Sequence, residues 1–283
     1  MELQWKRKNT AAHLREIHKD GVIYLEFPAL EQTGMVRHGF STRIGGVSKG
    51  IFSTMNLSFT RQDRDEDVRE NFRRIAQALG TEMSHMVCSQ QTHTTNIRVV
   101  TAADMGKGVC EPLDYTDVDG LITNEPGIML VTFYADCVPV YIVDTYNRAI
   151  GLCHSGWRGT VGRISRNMLR HMNQEFGTRP EHVTAAVGPS ICVDCYEVSS
   201  DVAEAFEAEF GAVAQNRIAY KKENGKYQLD LWEANRVILE EAGVPSCNIE
   251  VTDICTCCNP EYLFSHRATG GRRGNLAAFL ELK

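Results

Sequence analysis

The sequence predicts an α+β fold, with mixed sheets at the centre and helices outside. Three observations lead there. Short apolar, β-rich runs recur along the chain, and stretches with helical periodicity lie among them. The two kinds do not alternate in the regular βαβ order that a doubly wound sheet requires.

Taken in order, Val22–Phe27 is the first β-rich run. Asp65 to Leu79 places Val68, Phe72, Ile75, Ala76 and Leu79 on one face, and Gly80 stops that helix. Ile128–Tyr134, Val138–Val143 and Ala149–Cys153 lie close together and are apolar on both faces, as strands covered on both sides are. Val161 to Phe176 carries Ile164, Met168 and Met172 at helical spacing, with Gly177 as its stop. Ser200 to Phe210 carries Val202, Ala203, Phe206 and Phe210. Asn224-Gly225 marks a hairpin between Arg217–Lys222 and Lys226–Leu231. Asp230 with Glu233 reads as a capping pair opening a helix to Ala242, before Gly243 and Pro245. No linker rich in Pro, Gly or Ser interrupts the chain, and no repeat appears, so residues 1–283 are expected to form one domain.

With 43% hydrophobic residues, 283 positions suffice for a sizeable core. The net charge of -6, without a basic cluster, argues against nucleic acid as a partner. No apolar stretch has the length of a membrane span. Met1 to Asp20 is polar and lacks the apolar centre of an export signal, so the cytoplasm is the expected compartment. There the ten cysteines are expected as thiols, metal ligands or nucleophiles, not disulfides.

Three possible metal ligands each follow an apolar run: His93 in Gln91-Thr-His93, Cys137 in Ala135-Asp-Cys137, and His154 in Leu152-Cys-His-Ser-Gly-Trp-Arg-Gly159. Two imidazoles and a thiol are three ligands, the number a catalytic zinc takes while keeping a fourth position open. Loops at strand ends are where such sites are built. The alternative is three unrelated core or surface residues; the spacing is not a compact signature and does not decide between them. Gly159 and Thr160 introduce the helix expected from Val161, whose N-terminus together with Arg158 would favour an anion. Gly45-Gly46, beside Arg43, suits a tight turn with backbone open to a ligand. Arg267, Arg272 and Arg273 lie among glycines in a third such stretch, suited to phosphate or carboxylate. The pairs Cys192-Val-Asp-Cys195 and Cys255-Thr-Cys-Cys258 together offer a four-thiolate zinc set, but their separation far exceeds the usual ~15–20 residues, so buried thiols are expected instead.

His38-Gly-Phe-Ser-Thr-Arg-Ile-Gly-Gly-Val-Ser48, Met55-Asn-Leu57, Gln91-Thr-His93, Asp119-Gly120, Ala135-Asp-Cys137, Cys153-His-Ser-Gly-Trp-Arg-Gly159, Gly188-Pro189, Cys195-Tyr-Glu-Val198 and Ser265-His-Arg267 run through nearly the whole chain in that order. Together they resemble the YfiH/YlmD family, long labelled multicopper polyphenol oxidase or laccase-like. Two departures are visible: Ser155 where an alanine is expected, and His266 where an aromatic is expected.

The resemblance implies a layered α/β/β/α sandwich similar to the catalytic domain of cytotoxic necrotizing factor. It implies zinc held by His93, Cys137 and His154. It also implies phosphorolysis of adenosine, inosine, guanosine and S-methyl-5'-thioadenosine, and deamination of adenosine to inosine. The expected partners are then a purine nucleoside and phosphate. Asp136 is the expected orienting group or proton shuttle beside Cys137 and His154. Arg43, Asn56, Gln91, Trp157, Arg158 and Arg267 are the expected substrate contacts.

Three other readings use the same residues. In a Cys–His hydrolase or amidase, of the kind that edits peptidoglycan precursors, Cys137 is the nucleophile and His154 the base. Copper also suits a three-ligand nitrogen and sulfur site. A laccase needs several coppers and paired H-x-H ligands, and nine histidines without any H-x-H do not supply them. A nucleotide-binding protein without turnover would share the composition.

Overall fold

The computed structural model describes residues 3–8 and 14–283. Met1, Glu2 and residues 9–13, part of the polar N-terminal stretch, lie outside the described residues. The strands are β1 (Arg15–Lys19), β2 (Val22–Glu26), β3 (Val36–Ser41), β4 (Met86–Cys88), β5 (Ile97–Val99), β6 (Gly120–Thr123), β7 (Met129–Tyr134), β8 (Val138–Asp144), β9 (Ala149–Ser155), β10 (Val183–Val187), β11 (Glu197–Val198), β12 (Ala219–Lys221), β13 (Tyr227–Leu229), β14 (Ile249–Val251) and β15 (Leu276–Leu282). The helices are α1 (Pro28–Gln32), α2 (Asp65–Leu79), α3 (Trp157–Val161), α4 (Ile164–Phe176), α5 (Ser200–Phe210), α6 (Leu231–Glu241) and α7 (His266–Thr269).

Two six-stranded sheets form the centre, ordered β1-β2-β3-β15-β7-β4 and β14-β10-β8-β9-β6-β5, with a small β11-β13-β12 sheet beside them. Both large sheets are mixed: β4–β7, β10–β14 and β5–β6 pair in parallel, while β8–β9 and β7–β15 are antiparallel. The sheets pack face to face. Phe40, Leu130 and Leu280 of the first meet Tyr141, Ile150 and Leu152 of the second in one buried cluster. Two tyrosines cross this interface: the Tyr134 hydroxyl donates to the Cys153 carbonyl and the Tyr141 hydroxyl to that of Gly39, each at 3.0 Å.

Alternation along each strand then fixes the outer layers. Met129, Val131 and Phe279 turn away from the interface onto Val68, Phe72 and Ile75 of α2. Val138, Val140 and Ile142 turn onto Met168 and Met172 of α4 and Ile238 of α6. The helix–sheet–sheet–helix layering explains why β7, β8 and β9 are apolar on both faces.

These three strands, close together in the sequence, do not share one sheet. β7 belongs to one sheet, β8 and β9 to the other. The Ala135-Asp136-Cys137 turn carries the chain between the layers, with Asp136 at φ 91°, a conformation that non-glycine residues seldom adopt. A doubly buried strand shows the same pattern in either sheet, so periodicity could not separate them.

α2 and α5 have the expected limits. The helix expected over Val161–Phe176 is two helices, broken at Gly162–Arg163, where Arg163 takes φ 55° and pairs with Glu209 and Glu241. The first of them starts at Trp157, so the helix N-terminus lies at Gly156, earlier than the expected Thr160. Only half of the Asp230/Glu233 pair caps α6: Asp230 accepts from the Glu233 N–H at 3.0 Å, while the Glu233 side chain pairs with Arg217. The hairpin closes between Lys222 and Lys226, with Asn224-Gly225 at its tip. No helix among the described residues is long and apolar enough to cross a membrane.

Candidate active site

Three chain segments place the three candidate ligands. His93 follows β4 in the first sheet; Cys137 ends the turn between the layers; His154 lies in β9, paired with Pro139 of β8. Their ligand atoms all lie within 4.8 Å of one another. The two imidazole rings meet edge to face, with centroids 4.8 Å apart. Packing two sheets face to face is what brings together residues 44 and 17 positions apart in the chain.

Asp119, immediately before β6, organises this group. Its fully buried carboxylate accepts from His154 Nδ1 at 2.8 Å. It also accepts the backbone N–H groups of Thr92, His93 and Thr94 at 2.9, 3.1 and 3.0 Å. One side chain therefore orients one ligand and fixes the turn that carries another, with His93 at φ 67°. Burial raises the Asp119 carboxyl, but the His154 hydrogen bond and charge and the backbone donors bring it below its ordinary value. With Nδ1 occupied, His154 turns Nε2 towards Cys137. Burial likewise pushes the Cys137 thiol up, and the charges and hydrogen bonds of His154 and His93 outweigh it, holding it at about 6. Burial lowers His154; Cys137 and Asp119 overcome this and raise it to about 9. Without a bound metal, these mutual shifts favour a thiolate beside an imidazolium.

Gly156 is a fit test for a metal. A Cβ there would stand 2.9 Å from His93 Cδ2, 3.3 Å from Cys137 Sγ and 3.5 Å from His154 Cε1. The missing side chain leaves a space bounded by all three ligand residues. Two imidazoles and a low-lying thiol suit zinc, and copper shares that donor preference.

The ligands lie on the wall of a cleft of about 600 Å³. Leu57, Phe59, Val109, Leu113 and Phe133 supply apolar walls, while Arg61, Arg69 and Arg273 supply cations. Arg273 is only 8% exposed, and its Nε has no hydrogen-bond partner. Burial, then the neighbouring Arg61 charge, lowers it to about 10. Arg273 Nη1 donates to the Gly274 carbonyl and to Asn275 Oδ1, while the unpartnered Nε and the repulsion of a second arginine make this spot suited to an anion.

The expected substrate contacts fare unevenly. Gln91 lines the cleft, but its amide is committed: Oε1 accepts from Phe133 N and Ser89 Oγ, and Nε2 donates to Phe133 O. Asn56 is fully buried and supports the rim, accepting from the N–H groups of Ser58 and Asn275. Arg43 donates to the carbonyls of Ser53 and Pro260 and covers the Phe264 ring; it does not line the cleft. Gly45-Gly46 beside it packs on the backbone of Gly21, Val22 and Thr54, which leaves no room for a ligand.

Trp157, Arg158 and Arg267 also stand outside the cleft lining. The Arg158 guanidinium covers the Trp157 ring at 4.2 Å, and Arg267 donates to the carbonyls of Cys195 and Glu197. The Asp136 carboxylate accepts from Thr256 Oγ1 and from Arg267 N, each at 2.6 Å, so both its oxygens face the C-terminal loop. Ser155, the first departure, binds Thr160 Oγ1 at 2.9 Å inside the fold. His266, the second, lies in exposed α7 against Gly271.

Asp119 and Arg61 are contributors that sequence reading did not place in the site; Arg273 was named there only as one of three arginines suited to phosphate or carboxylate. Asp119 stands in the Asp119-Gly120 motif, a signal that marked it without giving it a role.

The model of the family described as multi-copper polyphenol oxidoreductase laccase matches residues 37–283. The purine nucleoside phosphorylase YlmD of Bacillus subtilis is 36% identical over 246 residues, covering 87% of this chain and 88% of that protein. A protein named adenosine deaminase RL5, from an unknown prokaryotic organism, is 34% identical, covering 83% and 90%. The crystal structure of YlmD from Geobacillus stearothermophilus superposes with a TM-score of 0.88 at 34% identity, covering 96% of this chain and all of that one. With a matching family model over most of its length and relatives of this identity and coverage, the chain belongs to the YfiH/YlmD family.

Proposed function

We propose that residues 1–283 form a single-domain, zinc-dependent purine nucleoside phosphorylase. Its substrates are adenosine, inosine, guanosine and S-methyl-5'-thioadenosine, and it also deaminates adenosine to inosine. The observation that carries this reading is the three-ligand group on the wall of a cleft that also presents Arg273 with an unpartnered Nε. The names of the relatives, phosphorylase and deaminase, support it.

His93, Cys137 and His154 hold the zinc ion. When bound, zinc supplies Lewis acidity, which stabilises developing negative charge and eases proton loss from water near neutral pH. The chain does the rest. Asp119 fixes the His154 tautomer and the His93 turn. Phe59, Phe133 and Leu113 take the flat faces of the purine. Arg273 and Arg61 hold phosphate, whose two charges relieve their mutual repulsion. Asp136 acts through structure: its carboxylate joins the Cys137 turn to the C-terminal loop.

The test is incubation of zinc-loaded protein with adenosine and phosphate, followed by separation of bases and sugar phosphates. Adenine and hypoxanthine with ribose 1-phosphate, and inosine from deamination, are expected. No product above a His93→Ala control would overturn the reading.

A second reading rests on the thiolate–imidazolium pair with Asp119 behind it, the arrangement of a Cys–His hydrolase. It requires activity without stoichiometric metal and immediate loss on alkylation of Cys137. A laccase requires copper and phenol oxidation, and metal analysis of the purified protein separates it from the zinc reading.

A further inference from the structure

A second group of metal-ligating side chains lies apart from the cleft. Cys192, Cys195, Cys255 and Cys258 have all four Sγ atoms within 4.8 Å of one another. The two C-x-x-C pairs are distant in sequence, which argued for separate buried thiols. The topology reverses that expectation. β10 and β14 are parallel neighbours, with Val187 paired to Val251, and the pairing continues in a Ser190–Cys255 bridge. Both pairs therefore leave adjacent strands at the same end.

The local geometry is that of a binding site. A tetrahedral zinc tetrathiolate with Zn–S about 2.3 Å has S···S edges of about 3.8 Å. Cys195 Sγ and Cys258 Sγ stand 3.5 Å apart without a disulfide. The Cys192 N–H points at Cys255 Sγ at 3.2 Å, and the N–H groups of Cys195 and Tyr196 fold back on the Cys192 carbonyl, closing a tight turn between the two thiols. Cys192 and Cys255 are buried, Cys195 and Cys258 half-buried. The Lys8 ammonium, held by Asp194 at 2.9 Å, supplies positive charge to the same loop. Thiols this close suit one ion and leave no room for a cluster of several irons.

We propose that Cys192, Cys195, Cys255 and Cys258 bind a structural zinc ion as a closed tetrathiolate, distinct from the three-ligand site. Four protein ligands leave no position for substrate, so the ion fastens instead of reacting. It joins the loop after β10 to the loop after β14, and both loops brace the turn that carries Cys137. Thr256, between two ligands, donates to Asp136 Oδ1 at 2.6 Å, and the Ile191 N–H donates to the Asp136 carbonyl at 3.0 Å.

Metal content separates this proposal from the function proposed for the cleft. Protein purified under reducing conditions with zinc supplied should hold two zinc ions per chain. His93→Ala/Cys137→Ala should keep one, and Cys192→Ser/Cys258→Ser should also keep one. Cobalt(II) loaded into His93→Ala/Cys137→Ala should show the intense sulfur charge-transfer and d–d bands of a tetrahedral thiolate. The cysteine variant should also melt at lower temperature than the His93 variant. If it does not fold, the stoichiometry and cobalt spectrum of His93→Ala/Cys137→Ala still decide. Zero zinc in that protein overturns the proposal, as does one iron in its place, or a Cys192–Cys255 or Cys195–Cys258 disulfide in protein kept under reductant.

Discussion

Asp119 Oδ1 accepts His154 Nδ1 at 2.8 Å, and this bond leaves Nε2 as the nitrogen for a metal. The same carboxylate accepts the His93 N–H at 3.1 Å, so the two histidines share one anchor. Asp119→Asn keeps the shape but removes the charge that holds the imidazole. Metal affinity, measured by competition with a chelator, should fall about 10–100-fold, the usual loss when a ligand's supporting partner is changed. Asp119→Ala should cost more. It leaves the N–H groups of Thr92, His93 and Thr94 without their acceptor, at up to about 1–3 kcal/mol for any donor that water does not reach, and thermal unfolding should show it. Unchanged affinity in Asp119→Asn would mean that the other ligands position the ion unaided.

Gly156 has a Cα that faces all three ligand residues. In Gly156→Ala the new methyl group meets His93 Cδ2 at 2.9 Å before any adjustment. The exposed His93 is the residue able to yield, and moving it breaks the three-ligand group. The variant should fold, keep the metal of the four-cysteine site and lose the cleft metal together with activity. Wild-type metal content in the cleft would show that the space is not needed.

How much of this was legible in the chain follows from physical range. α2 could be read to its ends because its apolar face and Gly80 are local signals. The break at Gly162–Arg163 could not, because the pairing of Arg163 at φ 55° with Glu209 and Glu241 depends on α5 and α6, far along the chain. His93, Cys137 and His154 were nameable because a thiol and two imidazoles past apolar runs are uncommon. Asp119 was nameable as a motif but not as an anchor, since its bonds reach 25 to 35 residues along the chain. The clustering of the four cysteines was not legible for a related reason: spacing rules assume one local hairpin, whereas parallel β10 and β14 bring distant turns together.

Cys137 offers a pH signature. In metal-stripped protein its thiol is held at about 6, against an ordinary cysteine near 8.5. The thiolate is the reactive form, so alkylation by iodoacetamide should rise with pH through about 6 and level off by about 7.5. Peptide mapping should assign the adduct to Cys137, and added zinc should protect it. A rate still climbing beyond about pH 8 would mean that His154 does not hold the thiolate.

Arg273 separates two views of where phosphate goes. Sequence pointed to Arg158, Arg43 and Arg267, and to the glycine-rich stretch that also holds Arg272 and Arg273; the first three spend their guanidinium groups on a ring or on carbonyl oxygens away from the cleft lining. Arg273 also donates from Nη1 to Gly274 O and Asn275 Oδ1, but it lines the cleft and keeps Nε unpartnered, with Arg61 near enough to depress it. Arg273→Gln should therefore raise KM for phosphate about tenfold or more, since a charge-assisted hydrogen bond is worth about 1.5–3 kcal/mol. KM for the nucleoside should change little, because the apolar walls remain. Deamination of adenosine, which uses no phosphate, should persist. Arg158→Ala should leave KM for phosphate near the parent value. The reverse pattern, with Arg158→Ala weakening phosphate and Arg273→Gln neutral, would move the anion site to the other side of Cys137.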